Sequence, residues 1–339
     1  MSKTVLAIHG IIVEIDSEVE DIHSWVKFDF HLFLTQPAPA PHLRIQVILG
    51  TIPYHIVPPL VESMHGPQYV CFDSGTIRYV DYFRRALAVF DYSREEGMLY
   101  AEDAAFCYEK LYLLIQSRVG ELLDKKGIHR IHALGVSLQG NAALFLIPMR
   151  GGKSTLALRL LASPAIRLLS DDTPLVQRDG TILPFPVRMG VMVGEEPKGI
   201  DKTWVRTFER SQFGSKSLID VACYKSQIET NPCQPRLIFH GKWTFADKPE
   251  LIELSRWRGF QVLFRDCVVG LGLPQVVEFF LRSPARDLWP KSMIVLRRIR
   301  AAIAVVAKAR TYELRLCRDL DLNTSFIIEK LEMLRSKLP

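Results

Sequence analysis

The stretch Ala142-Ala-Leu-Phe-Leu-Ile-Pro-Met-Arg-Gly-Gly-Lys153-Ser-Thr-Leu-Ala-Leu-Arg-Leu-Leu161 passes from an unbroken apolar run through a glycine loop into helical spacing. The run from Ala142 to Ile147 has the length and character of a buried strand, and Lys153 to Leu161 carries apolar residues at helical intervals. Pro148 to Gly152 joins them, and a second apolar run, Ile166 to Leu169, follows. Strand, tight loop, helix, strand is α/β patterning. A glycine loop between a strand and a helix is also where phosphate is held, because successive backbone N–H groups face the anion and no side chain intervenes. Arg150, Gly151, Gly152, Lys153, Ser154 and Thr155 are therefore candidate phosphate contacts, with Lys153 as a point charge and Ser154 as a hydroxyl for Mg²⁺. The pattern G-x-x-x-x-G-K-[ST] is met in part, since Ile147 stands where its first glycine falls. The same residues also suit a plain strand-to-helix turn with an exposed lysine.

Beyond the helix, Arg167-Leu-Leu-Ser-Asp171-Asp172 ends an apolar strand in two adjacent carboxylates. In phosphoryl transfer one carboxylate holds the metal and another accepts the proton of the attacking hydroxyl. Close carboxylates also raise one another's pKa, which a base working near neutrality needs. The plainer reading is an Asp-Asp-Thr-Pro turn. Upstream, Ile128-His-Arg-Ile-His132-Ala133 comes shortly before the loop strand. Alone, His132 reads as structural; His132, the glycine loop and Asp171-Asp172 in this order, each at an element end, form a constellation.

That constellation resembles the catalytic domain of HPr kinase/phosphorylase and its related kinases, which share a phosphoenolpyruvate carboxykinase-like fold. The resemblance is at motif level from His129 to Met189 and fainter to the C-terminus. In that family a histidine precedes the loop, the loop reads Gly-x-x-Gly-x-Gly-Lys-Ser, and an Asp-Asp pair ends a following strand. His132, then Gly152, Lys153 and Ser154, then Asp171 and Asp172 fit those places, while Ile147 and Arg150 replace two glycines. The resemblance implies a P-loop kinase core that uses ATP and Mg²⁺. Asp171 would take the proton from a substrate hydroxyl, Asp172 and Ser154 would hold the metal, and His132 would orient the base. Pro184-Phe-Pro-Val-Arg-Met-Gly190 stands in place of the glycine-rich signature of HPr kinases proper. In this the chain looks like divergent relatives that accompany peptide-modification gene clusters, including kinases of lasso-peptide precursors. The expected acceptor is a serine hydroxyl on a peptide or protein. Two alternatives stand beside it: a nucleotide- or phosphate-sensing binding protein with a degenerate loop, and a small-molecule kinase acting on an amino acid or sugar. The family also allows pyrophosphate as donor.

Arg188, Arg206, Arg210 and Lys216 follow the carboxylate pair and are candidate phosphate or substrate contacts, because a guanidinium binds two oxygens at once. A solvated surface is the competing reading for each.

The 339 residues, 48% hydrophobic and 24% charged, are enough for two cores. The net charge of +6 is matched by six bases without an acid between Lys291 and Arg310, so the rest of the chain is balanced. One basic helix is a poor footprint for nucleic acid, which needs many phosphate contacts over a face. Six widely spaced cysteines suggest buried thiols rather than zinc or disulfides. With no signal-like start and no window of about 18 apolar residues, the expected location is cytoplasmic, without stable membrane insertion. A homo-oligomer is compatible with the sequence.

Residues 1–95 read as a mostly β module of unknown role, with strands at 4–15 and 26–34, and 96–339 as the catalytic domain. Glu102 to Lys126 has helical spacing with Gly127 as its stop, and opens the second domain in this reading. Further helices are expected at 273–282, at 293–310 with Leu296, Ile299, Ile303 and Val306 facing the core, and at 323–337. Trp204, Trp243, Trp257 and Trp289 read as packing residues.

Overall fold

The computed structural model describes residues 2–37, 40–148, 151–210, 214–270, 277–280 and 284–336. The chain forms two units: residues 1–126 with 206–220 and 274–291, and residues 127–205 with 221–273 and 292–339. The boundary therefore falls after Lys126 rather than after residue 95, and two later segments join the first unit.

In the first unit β1 (Ser2–Ile8), β2 (Ile11–Ser17), β3 (Leu34–Thr35), β4 (Leu43–Leu49), β5 (Glu62–Gly66), β6 (Tyr69–Ser74), β7 (Ile77–Asp81), β8 (Ala86–Asp91) and β9 (Glu96–Ala101) build one sheet, in the order β3-β1-β2-β4-β9-β8-β7-β6-β5. The strand expected at 4–15 is the hairpin β1–β2, turned by His9 and Gly10, both at positive φ. The strand expected at 26–34 is instead α1 (Glu20–Asp29), a 3₁₀ turn His31–Phe33, and the two residues of β3. Val26, Phe28 and Phe30 alternate as a strand would, yet Ile22, Val26 and Phe30 also recur every fourth residue, and all three are buried. The helical period wins because Phe28 and Trp25 pack on Tyr108 and Phe208. Tyr108 lies on α2 (Ala104–Lys125), which Asp103 caps by accepting from the Phe106 N–H. This helix packs on β2, β4 and β9, so it closes the first unit's core instead of opening the second.

The second unit contains β10 (Ile128–Arg130), β11 (Leu134–Leu138), β12 (Asn141–Leu146), α3 (Lys153–Leu160), β13 (Arg167–Ser170), β14 (Leu175–Gln177), β15 (Ile182–Leu183) and β16 (Met189–Met192). The paired strands β17 (Val205–Arg210) and β18 (Gly214–Ile219) fall almost wholly within the first unit's later segment. β19 (Gln234–Trp243), β20 (Glu250–Leu254), α4 (Arg256–Leu263), α5 (Val277–Phe280), α6 (Pro284–Lys308), β21 (Arg310–Leu316) and α7 (Leu320–Ser336) complete the chain. A six-stranded sheet runs β13-β11-β12-β19-β21-β20, with β12, β19 and β21 mutually parallel at its centre. Leu144, Leu146 and Ile238 on one face meet Leu263, Cys267, Ala301, Ala302 and Val305. On the opposite face the rings of Phe145, Phe239 and Tyr312 stack. The fold is mixed α/β, and the glycine loop leaves the carboxyl end of β12, where open α/β sheets bind ligands.

The face of α6 matches the expected one at Val306, which is buried, and Ile299, which packs against the core, and differs at the other two positions. Leu296 is 49% and Ile303 52% exposed, while Ile294, Arg298, Ala301, Ala302, Val305 and Val306 are buried. Alanines let the helix approach the sheet closely, and hydropathy weights them too lightly to mark that face. Of the helix expected at 273–282, only Val277–Phe280 lies within the described residues. All six cysteines are thiols, five buried and Cys223 half-buried. Trp243 and Trp257 are exposed rather than packed, Trp204 is half-buried, and the Trp289 side chain lies outside the described residues. No helix among the described residues is long and apolar enough to cross a membrane.

Candidate functional site

Ile147, the residue in place of a loop glycine, is 2% exposed and sits against two glycines. A Cβ on Gly151 would stand 2.5 Å from Ile147 Cγ2, and one on Gly241 would stand 2.6 Å from Ile147 Cγ1. The loop thus accommodates a branched side chain by removing two others, one in the loop and one on β19. Gly152, at φ +85°, then turns the chain into α3 in a conformation L side chains rarely adopt. Met149 and Arg150 lie outside the described residues, so the contact expected of Arg150 falls there too.

Lys153 is no exposed lysine on a turn. It is 7% exposed, its Nζ donates to the Ile147 carbonyl at 3.1 Å, and it lies 2.9 Å from His132 Nε2. Asp172 Oδ1 is 3.7 Å from Lys153 Nζ and 3.3 Å from His132 Nε2. A buried ammonium is tolerated only when paired, and the carboxylate supplies the opposite charge. His132 is fixed by its backbone, whose N–H donates to the Asp266 carbonyl at 3.0 Å, while the Ala133 N–H donates to the Asp172 carbonyl. Its Nε2 has both groups in reach, and the tautomer decides whether it accepts from Lys153 or donates to Asp172.

Ser154 Oγ donates to Asp171 Oδ2 at 2.8 Å. Asp171 is 4% exposed, whereas the Asp172 side chain is 42% exposed. Ser170 Oγ accepts from the Thr173 N–H at 3.0 Å, so the Asp-Asp-Thr-Pro turn is real and positions the pair. His132, Lys153, Ser154, Asp171 and Asp172 therefore converge, with one difference from expectation: the hydroxyl of Ser154 pairs with Asp171, not Asp172. Thr155 is half-buried one residue further along α3.

The oxygens of Ser154, Asp171 and Asp172 are hard donors of the kind Mg²⁺ takes, one or two carboxylates with the remaining places left to phosphate and water. Among the described residues no group of three or more His, Cys, Asp or Glu could hold a metal by itself. Such a donor set fits magnesium whose remaining places are filled from outside the chain.

Of the basic candidates, Arg188 is half-buried in the second unit. Arg206 belongs to the first, where Nη2 donates to Ser24 Oγ at 2.8 Å and the guanidinium lies over Trp25 and Phe28 at 5.0 and 4.7 Å. Those contacts give Arg206 a packing role. Arg210 and Lys216 lie on β17 and β18; Lys216 is half-buried, and the Arg210 side chain is outside the described residues.

Two concave features had no motif to announce them. An apolar cleft beside the loop is walled by Gly151, Gly152, Leu156, Trp243, Leu316 and Leu320. A polar cavity of ≈ 410 Å³ lies among β19, β20, β21 and α4, lined by His240, Lys242, Arg258, Arg265 and Glu313 among others. Its lining comes from residues 240–242, 254–265 and 313, stretches far apart in the chain, so no local pattern could reveal it. Burial holds the His240 imidazole below its ordinary range, and the charges of Arg265 and Lys242 act in the same direction against the weaker pull of Asp266 and Glu313.

No protein-family model matches the chain, and no curated protein is detectably similar to it. Fold and site geometry together define a mixed α/β protein with a buried lysine, a histidine and two carboxylates at the end of a glycine loop.

Proposed function

We propose that the chain is an ATP- and Mg²⁺-dependent phosphotransferase with a phosphoenolpyruvate carboxykinase-like P-loop core, acting on a hydroxyl such as serine of a peptide or protein. The observation that carries this reading is the buried Lys153, held between the Ile147 carbonyl and His132 with Asp172 beside it. A lysine that merely decorated a turn would extend into solvent.

In this reading Lys153 and the amides at the start of α3 bind the transferred phosphate and stabilise the charge that grows on it. Ser154 with Asp171 would hold the magnesium, which when bound neutralises phosphate charge. Asp172 then accepts the proton from the acceptor hydroxyl. These carboxylate roles exchange those implied by the resemblance, for two reasons. Ser154 is bonded to Asp171, and Asp172 is the carboxylate an incoming hydroxyl can reach. His132 positions Asp172 through its Nε2.

Calorimetric titration of magnesium ATP into the wild type and Lys153→Met, with folding of both checked by circular dichroism, tests the reading. Binding by the wild type that the folded variant loses, followed by phosphoryl transfer to serine peptides, is the expected result. Binding without transfer to any hydroxyl acceptor favours a sensing role, and no binding by folded wild type overturns the nucleotide site.

A further inference from the structure

We propose that the polar cavity between α4 and the β19–β21 strands seats a negatively charged group of the phosphoryl acceptor, a carboxylate or a phosphate carried on the same molecule as the attacking hydroxyl. This rests on the phosphotransferase reading and adds to it the chemistry of the acceptor.

The lining carries three fixed cations, Lys242, Arg258 and Arg265, against one acid, Glu313. Two of the cations are already paired: Lys242 Nζ donates to Glu313 at 2.5 Å, and Arg265 makes two bonds to Asp266 at 2.9 and 2.8 Å. Glu313 is shared with Arg315 as well. Arg258 bonds only Gln261 Oε1, at 3.1 Å, and has no acidic partner among the described residues. A guanidinium at the rim of a cavity, with donors to spare and no counter-ion, is a group that binds oxyanions bidentately.

Position ties this cavity to the site. Leu146 is the register partner of His240, so the cavity begins one strand away from Ile147, whose carbonyl holds Lys153. On the other side Asp266, which follows Arg265 in the chain, accepts the His132 N–H through its carbonyl. Both attachments lie in the second unit. The volume suits a small anionic group and its immediate attachments, within the lower range of ligand sites. His240 adds a response to occupancy. Neutral beside Arg265 and Lys242, it becomes protonated more readily when an anion enters, because the anion offsets those charges.

The test is calorimetric titration of inorganic phosphate, and separately of malonate, into the wild type, Arg258→Gln and Lys153→Met, at two pH values on either side of neutrality. The proposal expects at least one anion to bind Lys153→Met, whose glycine loop has lost its ammonium, and to bind Arg258→Gln about tenfold more weakly than the wild type; malonate, which keeps its charge on both sides of neutrality, is expected to bind more tightly at the lower pH. Preference for phosphate or for malonate identifies which anion the acceptor carries. Binding abolished in Lys153→Met and unchanged in Arg258→Gln places the anion on the glycine loop and overturns the proposal, as does no binding of either anion by folded wild type. Magnesium ATP, titrated into the same proteins, separates the two readings. If it binds where the anions do not, only the acceptor seat falls. If the anions bind through Arg258 and magnesium ATP does not bind at all, the phosphotransferase reading falls and takes the acceptor role with it.

Discussion

Ser154 Oγ donates to Asp171 Oδ2 at 2.8 Å, which leaves Asp172 as the carboxylate beside Lys153 and His132. Two neighbours in sequence thus face different partners, and the difference is measurable. Asp172→Asn keeps the hydrogen-bonding shape but cannot accept a proton, so kcat should fall by about 10²–10⁴-fold with magnesium dependence unchanged. Ser154→Ala should instead raise the magnesium concentration for half-maximal rate by about tenfold. Steady-state rates across a magnesium titration check both, and a larger magnesium effect from Asp172→Asn than from Ser154→Ala would restore the opposite assignment.

Lys153→Met replaces the ammonium with an apolar chain of similar length in a site that is 7% exposed. Asp172 loses a cation but stays half-solvated beside His132, so the fold should survive. The transferring phosphate loses its point charge, and the rate should fall by about 10²–10³-fold. Far-ultraviolet circular dichroism beside the rate assay separates the effects. A variant that is simply unfolded would make Lys153 a structural residue.

Ile147 and Gly241 form a volume pair across β12 and β19. Gly241→Ala sets a methyl 2.6 Å from Ile147 Cγ1 and should cost about 1–3 kcal/mol. Ile147→Ala empties a site that is 2% exposed and should cost about 2–5 kcal/mol. Together they should cost less than the sum by about 0.5–3 kcal/mol, since the new methyl enters the space the old side chain left. Urea unfolding of the four proteins closes the cycle; strict additivity would mean the two residues do not share that space.

How much of this was legible in the sequence depends on whether a signal was local. The strand, loop and helix around Lys153 were legible because periodicity and glycine placement lie within twenty contiguous residues. His132, Lys153, Ser154, Asp171 and Asp172 were each nameable, but which carboxylate meets Ser154 is set by the turn at Ser170 and Thr173, beyond any spacing rule. The helix α1 was hidden because Val26, Phe28 and Phe30 satisfy two periods at once, and only Tyr108 and Phe208, far along the chain, decide between them. Part of the buried face of α6 was hidden by its alanines. The Arg258 cavity was illegible for the same reason as α1: its lining is assembled from distant elements.

Arg118, fully buried on α2, is held by Glu95 and Glu121 at 2.7 and 2.9 Å, and Lys291 reaches Glu121 at 3.0 Å. Its guanidinium also lies over Phe90 and Tyr92. Burial alone would raise the Glu121 pKa, but Arg118, Lys291 and Lys125 together outweigh it and hold the carboxyl below its ordinary value of 4.5. A folded-state pKa lower than the unfolded one adds stability that is present above pH 4.5 and is lost as pH falls through the folded value. Arg118→Met removes the largest of those opposing charges. Breaking a buried network on one side should cost about 3–5 kcal/mol at neutral pH. With burial less opposed, the Glu121 pKa moves upward, so acid unfolding should begin at a higher pH than in the wild type. Urea midpoints measured from neutrality down to about pH 3 read out both effects. A variant that loses stability uniformly, with the acid limb of its profile unmoved, would show that Arg118 acts through packing on Phe90 and Tyr92 and not through the charge of Glu121.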